Sequence, residues 1–137
     1  MSDDDLLAAF EECSLPLPQW SHQAHVRLGF LYLSRLGLTE AIDRMRSGIK
    51  AYNAVHGIVD GPAMGYHETT TQAFMRLIHQ AIRKRGPYRD SHEFRERNPE
   101  LLDRRVLLCY YTRERILDPA AKHSFVEPDI APLELVG

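Results

Sequence analysis

The run Leu28–Leu33, L-G-F-L-Y-L, is apolar almost all the way round a helix. A helix without a wet face has to lie at the centre of its bundle. That requirement constrains the chain more than any other, because every neighbouring segment must supply a surface to cover it. Ser21 is a good N-cap residue, so the spacing predicts a helix from Ser21 to about Leu36, stopped by Gly37.

Shorter amphipathic segments surround it. Asp3 to Cys13 reads as an acidic helix with Leu6, Leu7, Phe10 and Cys13 on one side, broken by Ser14-Leu-Pro-Leu-Pro18. Thr39 can cap a helix from Glu40 to about His56, with Gly57 following as C′ and Ile42, Met45, Ile49 and Tyr52 facing inward. Gly57 to Gly65 holds three glycines and Pro62, and reads as a loop with the makings of a lid. The next helix runs from about His67 to Lys84, ended by Gly86-Pro87, with Phe74, Leu77, Ile78 and Ala81 centred on its apolar face. Ser91 can cap a short polar helix to Arg97, and Asn98 can cap a long buried one carrying Leu101, Val106, Leu107, Tyr110 and Tyr111. Asp118-Pro119 starts a final turn, and Val126 to Gly137 reads as an extended tail. No segment alternates as a strand does. The expectation is an all-α fold, with residues 1–137 forming a single helical domain of about five to six helices.

A chain of 137 residues can bury a core as one domain. Its net charge of −2 creates no field favouring nucleic acid or an anionic membrane. Arg83-Lys84-Arg85 with Arg89 is a basic cluster, but it sits at a helix C-terminus, where cations complement the dipole. No apolar run approaches the roughly 18–20 residues of a membrane span. The acidic start Met1-Ser-Asp-Asp-Asp5 lacks the basic and apolar regions of a secretory signal. Cys13 and Cys109 suggest reduced thiols rather than a disulfide, and a cytoplasmic location is expected.

The histidines carry the chemistry. His22, His25, Gly29, Tyr32 and Leu36 form one stripe of the central helix, with the two imidazoles one turn apart. His67 projects on the centre of the apolar face of the Phe74–Ala81 helix, and Glu68 lies at the edge of that face, where the first-turn dipole favours its charge. Imidazole is costly to bury unpaired, so several aimed at one interior need a common partner. A divalent metal (Zn, Fe, Mn or Cu) is the simplest one, with His22, His25, His67 and Glu68 as ligands, or with Glu68 as general base. Gly29 removes bulk where a ligand or a helix could approach. His56 extends an inward stripe but precedes Gly57, which favours a capping role. His79, His92 and His123 read as surface residues, Arg27 as a solvated arginine, and Tyr110 and Tyr111 as core aromatics.

Three stretches carry a resemblance. W-S-H-Q-A-H-V-R-L-G-F-L-Y-L runs from Trp20 to Leu33, G-Y-H-E-T-T-T from Gly65 to Thr71, and Y-Y-T-R-E-R-I-L-D-P-A-A from Tyr110 to Ala121. In these the chain resembles a family of small, mostly uncharacterised bacterial helical proteins. The resemblance implies an all-helical domain built around the motifs and brings no activity with it. In the last stretch Arg113 is a possible anion contact. Three readings stay open: a metal-dependent enzyme acting hydrolytically or oxidatively on a small-molecule substrate, a non-catalytic binding or interaction module with hydrogen-bonded histidines, and a metal-free His/Glu acid–base enzyme.

Overall fold

A computed structural model describes residues 1–135. Seven α-helices appear among them: α1 (Asp3–Glu11), α2 (His22–Leu33), α3 (Leu38–Val55), α4 (Glu68–Arg85), α5 (Ser91–Arg97), α6 (Arg113–Leu117) and α7 (Pro119–His123). Three 3₁₀ segments, Leu17–Gln19, Pro99–Leu102 and Arg104–Cys109, connect them. The described residues contain no strand, only an isolated bridge between Gly61 and Met64. The fold is all-α, and no helix is long and apolar enough to cross a membrane among the described residues.

Helix α2 occupies the centre, as its uniform hydrophobicity requires. Every residue from Val26 to Leu33 is buried, and α1, α3, α4 and α5 pack against it. Gly29 explains how close α4 comes. A Cβ there would stand only 2.9 Å from the Ile78 side chain and 3.0 Å from the Met75 sulfur. The glycine therefore serves helix packing.

Burial of α2 also reverses the reading of Arg27. It is not solvated. Its guanidinium donates to Ser91 Oγ at 2.8 Å, to the Met1 carbonyl at 2.7 Å and to Asp3 at 3.2 Å. Asp3 in turn accepts from the Ser91 backbone N–H at 2.9 Å. This cluster pins the N-terminus and α5 to the central helix. It also explains why Asp90, not Ser91, caps α5, for the Ser91 hydroxyl is already committed.

Several boundaries move for similar reasons. Helix α2 stops at Leu33, where the Ser34 hydroxyl donates back to the Phe30 carbonyl at 2.7 Å. Helix α3 begins at Leu38, with Gly37 rather than Thr39 at the cap. The long helix expected after Asn98 is two 3₁₀ segments. Asp103 takes extended backbone between them and caps the second by accepting from the Arg105 N–H. Asn98 does not cap through its side chain. Its amide instead donates to the Phe94 carbonyl at 2.8 Å and accepts from Arg85 at 2.9 Å. Asp118-Pro119, read as the start of a final turn, opens the short helix α7, with Asp118 as its cap.

The tail is extended chain strapped to the bundle. Val126 N–H donates to Thr69, Ile130 N–H to the Tyr110 carbonyl, and Leu135 N–H to Gln80. Tyr110 and Tyr111 are buried, with hydroxyls on the Glu134 and Val126 carbonyls, which fits their reading as core aromatics. The end of the expected tail, Val136 and Gly137, lies outside the described residues.

Gly48 offers a direct test of this packing. It faces the fully buried Phe10 ring, which stacks on Trp20 at 5.5 Å. Alanine would gain up to about 1 kcal/mol of helix propensity. Its methyl, however, would overlap the ring, and overpacking of this kind is worth about 1–3 kcal/mol. Gly48→Ala is therefore expected to lower stability in urea unfolding despite its better propensity.

Candidate functional site

A cavity of about 460 Å³ opens between α2, α3, α4 and the loop that precedes α4. His22, His25 and His67 all line it, so the structure brings the three predicted histidines to one space. Met45, Ile49, Phe74 and Ile78 form an apolar floor and sides, and Trp20 stands at the edge.

Each imidazole is oriented by a backbone carbonyl. A carbonyl only accepts, so the ring nitrogen that meets it must carry the proton. His22 Nε2 donates to the Leu101 carbonyl at 2.9 Å, and the ring lies edge-on to Phe74 at 4.5 Å. His25 Nδ1 donates to the Ser21 carbonyl at 2.8 Å, and its ring rests on Trp20 at 4.1 Å. In the neutral rings, His22 Nδ1 and His25 Nε2 are left as acceptors. Burial holds both rings below the ordinary imidazole value of 6.5, with His25 down to about 4. Both are neutral at physiological pH.

His67 is different. Its Nδ1 accepts from the Thr70 N–H at 3.0 Å, so it caps α4, and its Nε2 donates to the Ile116 carbonyl at 3.0 Å. Both nitrogens are used. The ring lines the cavity without a free lone pair, and it could bind a metal only by giving up the cap.

Glu68 does not line this cavity. Its carboxylate turns to a separate polar recess shared with Arg46, Lys50 and Lys122. Arg46 grips it bidentately at 2.8 and 2.6 Å, and Tyr66 and Gln72 donate to it at 2.7 and 2.5 Å. Those hydrogen bonds, the arginine's first, hold its carboxyl down to about 2. A carboxylate so fully engaged is neither a poised base nor an available ligand. Of the expected four-residue set, the structure thus brings His22, His25 and His67 to one cavity, with both His67 nitrogens hydrogen-bonded, and places Glu68 in the other recess. Among the described residues, no three His, Cys, Asp or Glu side chains are placed to share an ion.

The other expectations resolve in the same way. His56 caps α3 and donates through Nε2 to the Cys13 carbonyl at 2.8 Å. Neither His56, Tyr110, Tyr111 nor Arg113 lines the cavity. Arg104 does, and sequence reasoning missed it. It lies in a segment read as buried helix, and its aim depends on the break at Asp103. The loop expected as a lid does form a wall, through Ile58, Ala63, Met64 and Gly65. It is anchored, because Lys122 Nζ donates to the Met64 carbonyl at 2.8 Å and the Tyr66 carbonyl at 2.6 Å.

Comparison of the chain with family models, with curated proteins and with solved structures gives no match.

The histidines and Glu68 set the pH dependence. Below 6.5 an unfolded histidine takes up a proton that folded His25 refuses until about 4, so stability falls across that window. Glu68 extends the fall from 4.5 towards about 2, because the unfolded carboxyl is protonated first. Urea midpoints measured from pH 8 to pH 3 should decline steadily, and His25→Gln should flatten the upper part of the curve. Glu68→Gln should cost about 2 kcal/mol through its lost charge-assisted bonds to Arg46, while His22 and His25 keep their NMR titration behaviour.

Proposed function

We propose that the chain is a small-molecule-binding protein that holds its ligand in the cavity between α2, α3 and α4. The observation that carries this reading is the pair His22 and His25. Each has one nitrogen fixed on a carbonyl and the other left as an acceptor at a half-open cavity of about 460 Å³, whose lining mixes apolar side chains with Ser21, Asn53, Thr70 and Thr71. A pocket of that size and lining suits a small organic molecule, and two oriented acceptors select for hydroxyl or N–H donors on it.

Acid–base catalysis is supported less. A general base works best with a pKa near the operating pH, and His25 at about 4 is too weak a base for that task. The metal-dependent hydrolytic or oxidative reading keeps only His22 and His25 as available donors. Cys13 and Cys109 are unpaired, which supports a reducing, cytoplasmic setting.

Trp20 is the sole tryptophan and touches the His25 ring, so its emission reports directly on the cavity. A panel of small aromatic and aliphatic compounds bearing hydroxyl or amide groups should give saturable changes in Trp20 fluorescence. His25→Leu should weaken binding about tenfold, the worth of one well-made hydrogen bond in an enclosed site, and EDTA should leave it unchanged. Failure of every compound at millimolar concentration would overturn the proposal. Stoichiometric uptake of Zn, Fe(II), Mn or Cu, lost in both His22→Ala and His25→Ala, would return the site to metal chemistry.

A further inference from the structure

The cavity lining carries one full charge. Among the described residues that line it there is no Asp, Glu or Lys, and Arg104 alone is charged. The sequence around it is Asp103-Arg104-Arg105, and the carboxylate next door is already taken. Arg105 donates to Asp103 through Nε at 3.1 Å and through Nη2 at 2.7 Å, while Asp103 also accepts from the Arg105 N–H at 2.9 Å. Arg104 makes no ion pair with another described residue. It is an exposed guanidinium at the cavity, without an ion-pair partner among the described residues.

The interior complements it. His22 Nδ1 and His25 Nε2 present lone pairs, which repel an anionic oxygen and welcome a donor. Apolar side chains such as Met45, Ile49, Phe74 and Ile78 share the remaining lining with Ser21, Asn53, Thr70 and Thr71. A ligand fitting both regions carries its negative charge at the rim and, inward, a body with apolar surface and a hydroxyl or N–H donor. One guanidinium offers a planar fork matched to one carboxylate. A phosphate dianion would call for further cationic groups, and Arg104 is the one Lys or Arg among the described lining residues.

We propose that the cavity selects a small carboxylic acid whose partly apolar body carries a hydroxyl or N–H donor, with Arg104 as the group that meets its carboxylate. This rests on the small-molecule reading of the cavity. Arg104 also lowers the proton affinity of His22, His25 and His67 through its charge, which places it within electrostatic reach of all three rings.

The test uses the full chain and matched probes: 3-(4-hydroxyphenyl)propanoate, 6-hydroxynaphthalene-2-carboxylate and 8-hydroxyoctanoate, each beside its primary amide and the corresponding amine. Binding is followed by Trp20 emission and by calorimetry. At least one carboxylate should bind about tenfold tighter than its amide, as expected for a charge-assisted pair. Arg104→Ala should erase that preference and leave amide binding in place, and Arg104→Lys should restore part of it. The side chain is exposed, so both variants should unfold at the parent's urea midpoint. Amides or amines binding as tightly as the carboxylates, with sensitivity to His25→Leu, would overturn the assignment of an anion while the small-molecule reading stands. A carboxylate preference that survives in Arg104→Ala would overturn the role of Arg104. If no probe binds at all, both readings fall together.

Discussion

The burial of α2 on every side governs the rest of the molecule. A helix enclosed by four others brings its polar residues into the interior with it, and each must then find a partner or face a void. Arg27 finds Ser91, Asp3 and the Met1 carbonyl. His22 and His25 find carbonyls at Leu101 and Ser21, but each carbonyl satisfies only one ring nitrogen. The unsatisfied halves fall on the same space. The cavity and its acceptors follow from the demand that placed α2 at the centre.

Much of this was legible in the sequence. Uniform hydrophobicity gave the central helix, and helical periodicity put His22, His25 and His67 on faces that converge. What periodicity could not supply was the direction of a side chain at a helix start. His67 and Glu68 are adjacent at the first turn of α4, where capping decides orientation. The imidazole folds back onto the Thr70 N–H, and the carboxylate swings to Arg46, a partner 22 positions away in the chain. A stripe drawn through the helix treats both as continuations of its inner face. Arg104 escaped notice for a related reason. Its placement depends on a single extended residue, Asp103, inside a segment whose composition reads as buried helix.

On the proposed small-molecule reading, the tethers also define what the site would accept. An imidazole that is free to rotate and change tautomer can donate or accept. Fixed on carbonyls and kept neutral by burial, His22 and His25 are restricted to accepting. Selectivity then comes from the complement of that restriction: groups able to give a proton into a hydrogen bond are welcomed, and competing acceptors are turned away.

The order of the parts along the chain has its own consequence. Three walls of the cavity are complete once α4 ends at Arg85. The carbonyl that orients His22, the guanidinium at the rim, the carbonyl that orients His67 and the lysine that fastens the loop come later, at Leu101, Arg104, Ile116 and Lys122. The walls and the groups that aim the side chains thus belong to different stretches of the chain. A substitution between residues 101 and 122 can therefore re-aim His22, His67 or the loop without altering any residue of the three helices that form those walls.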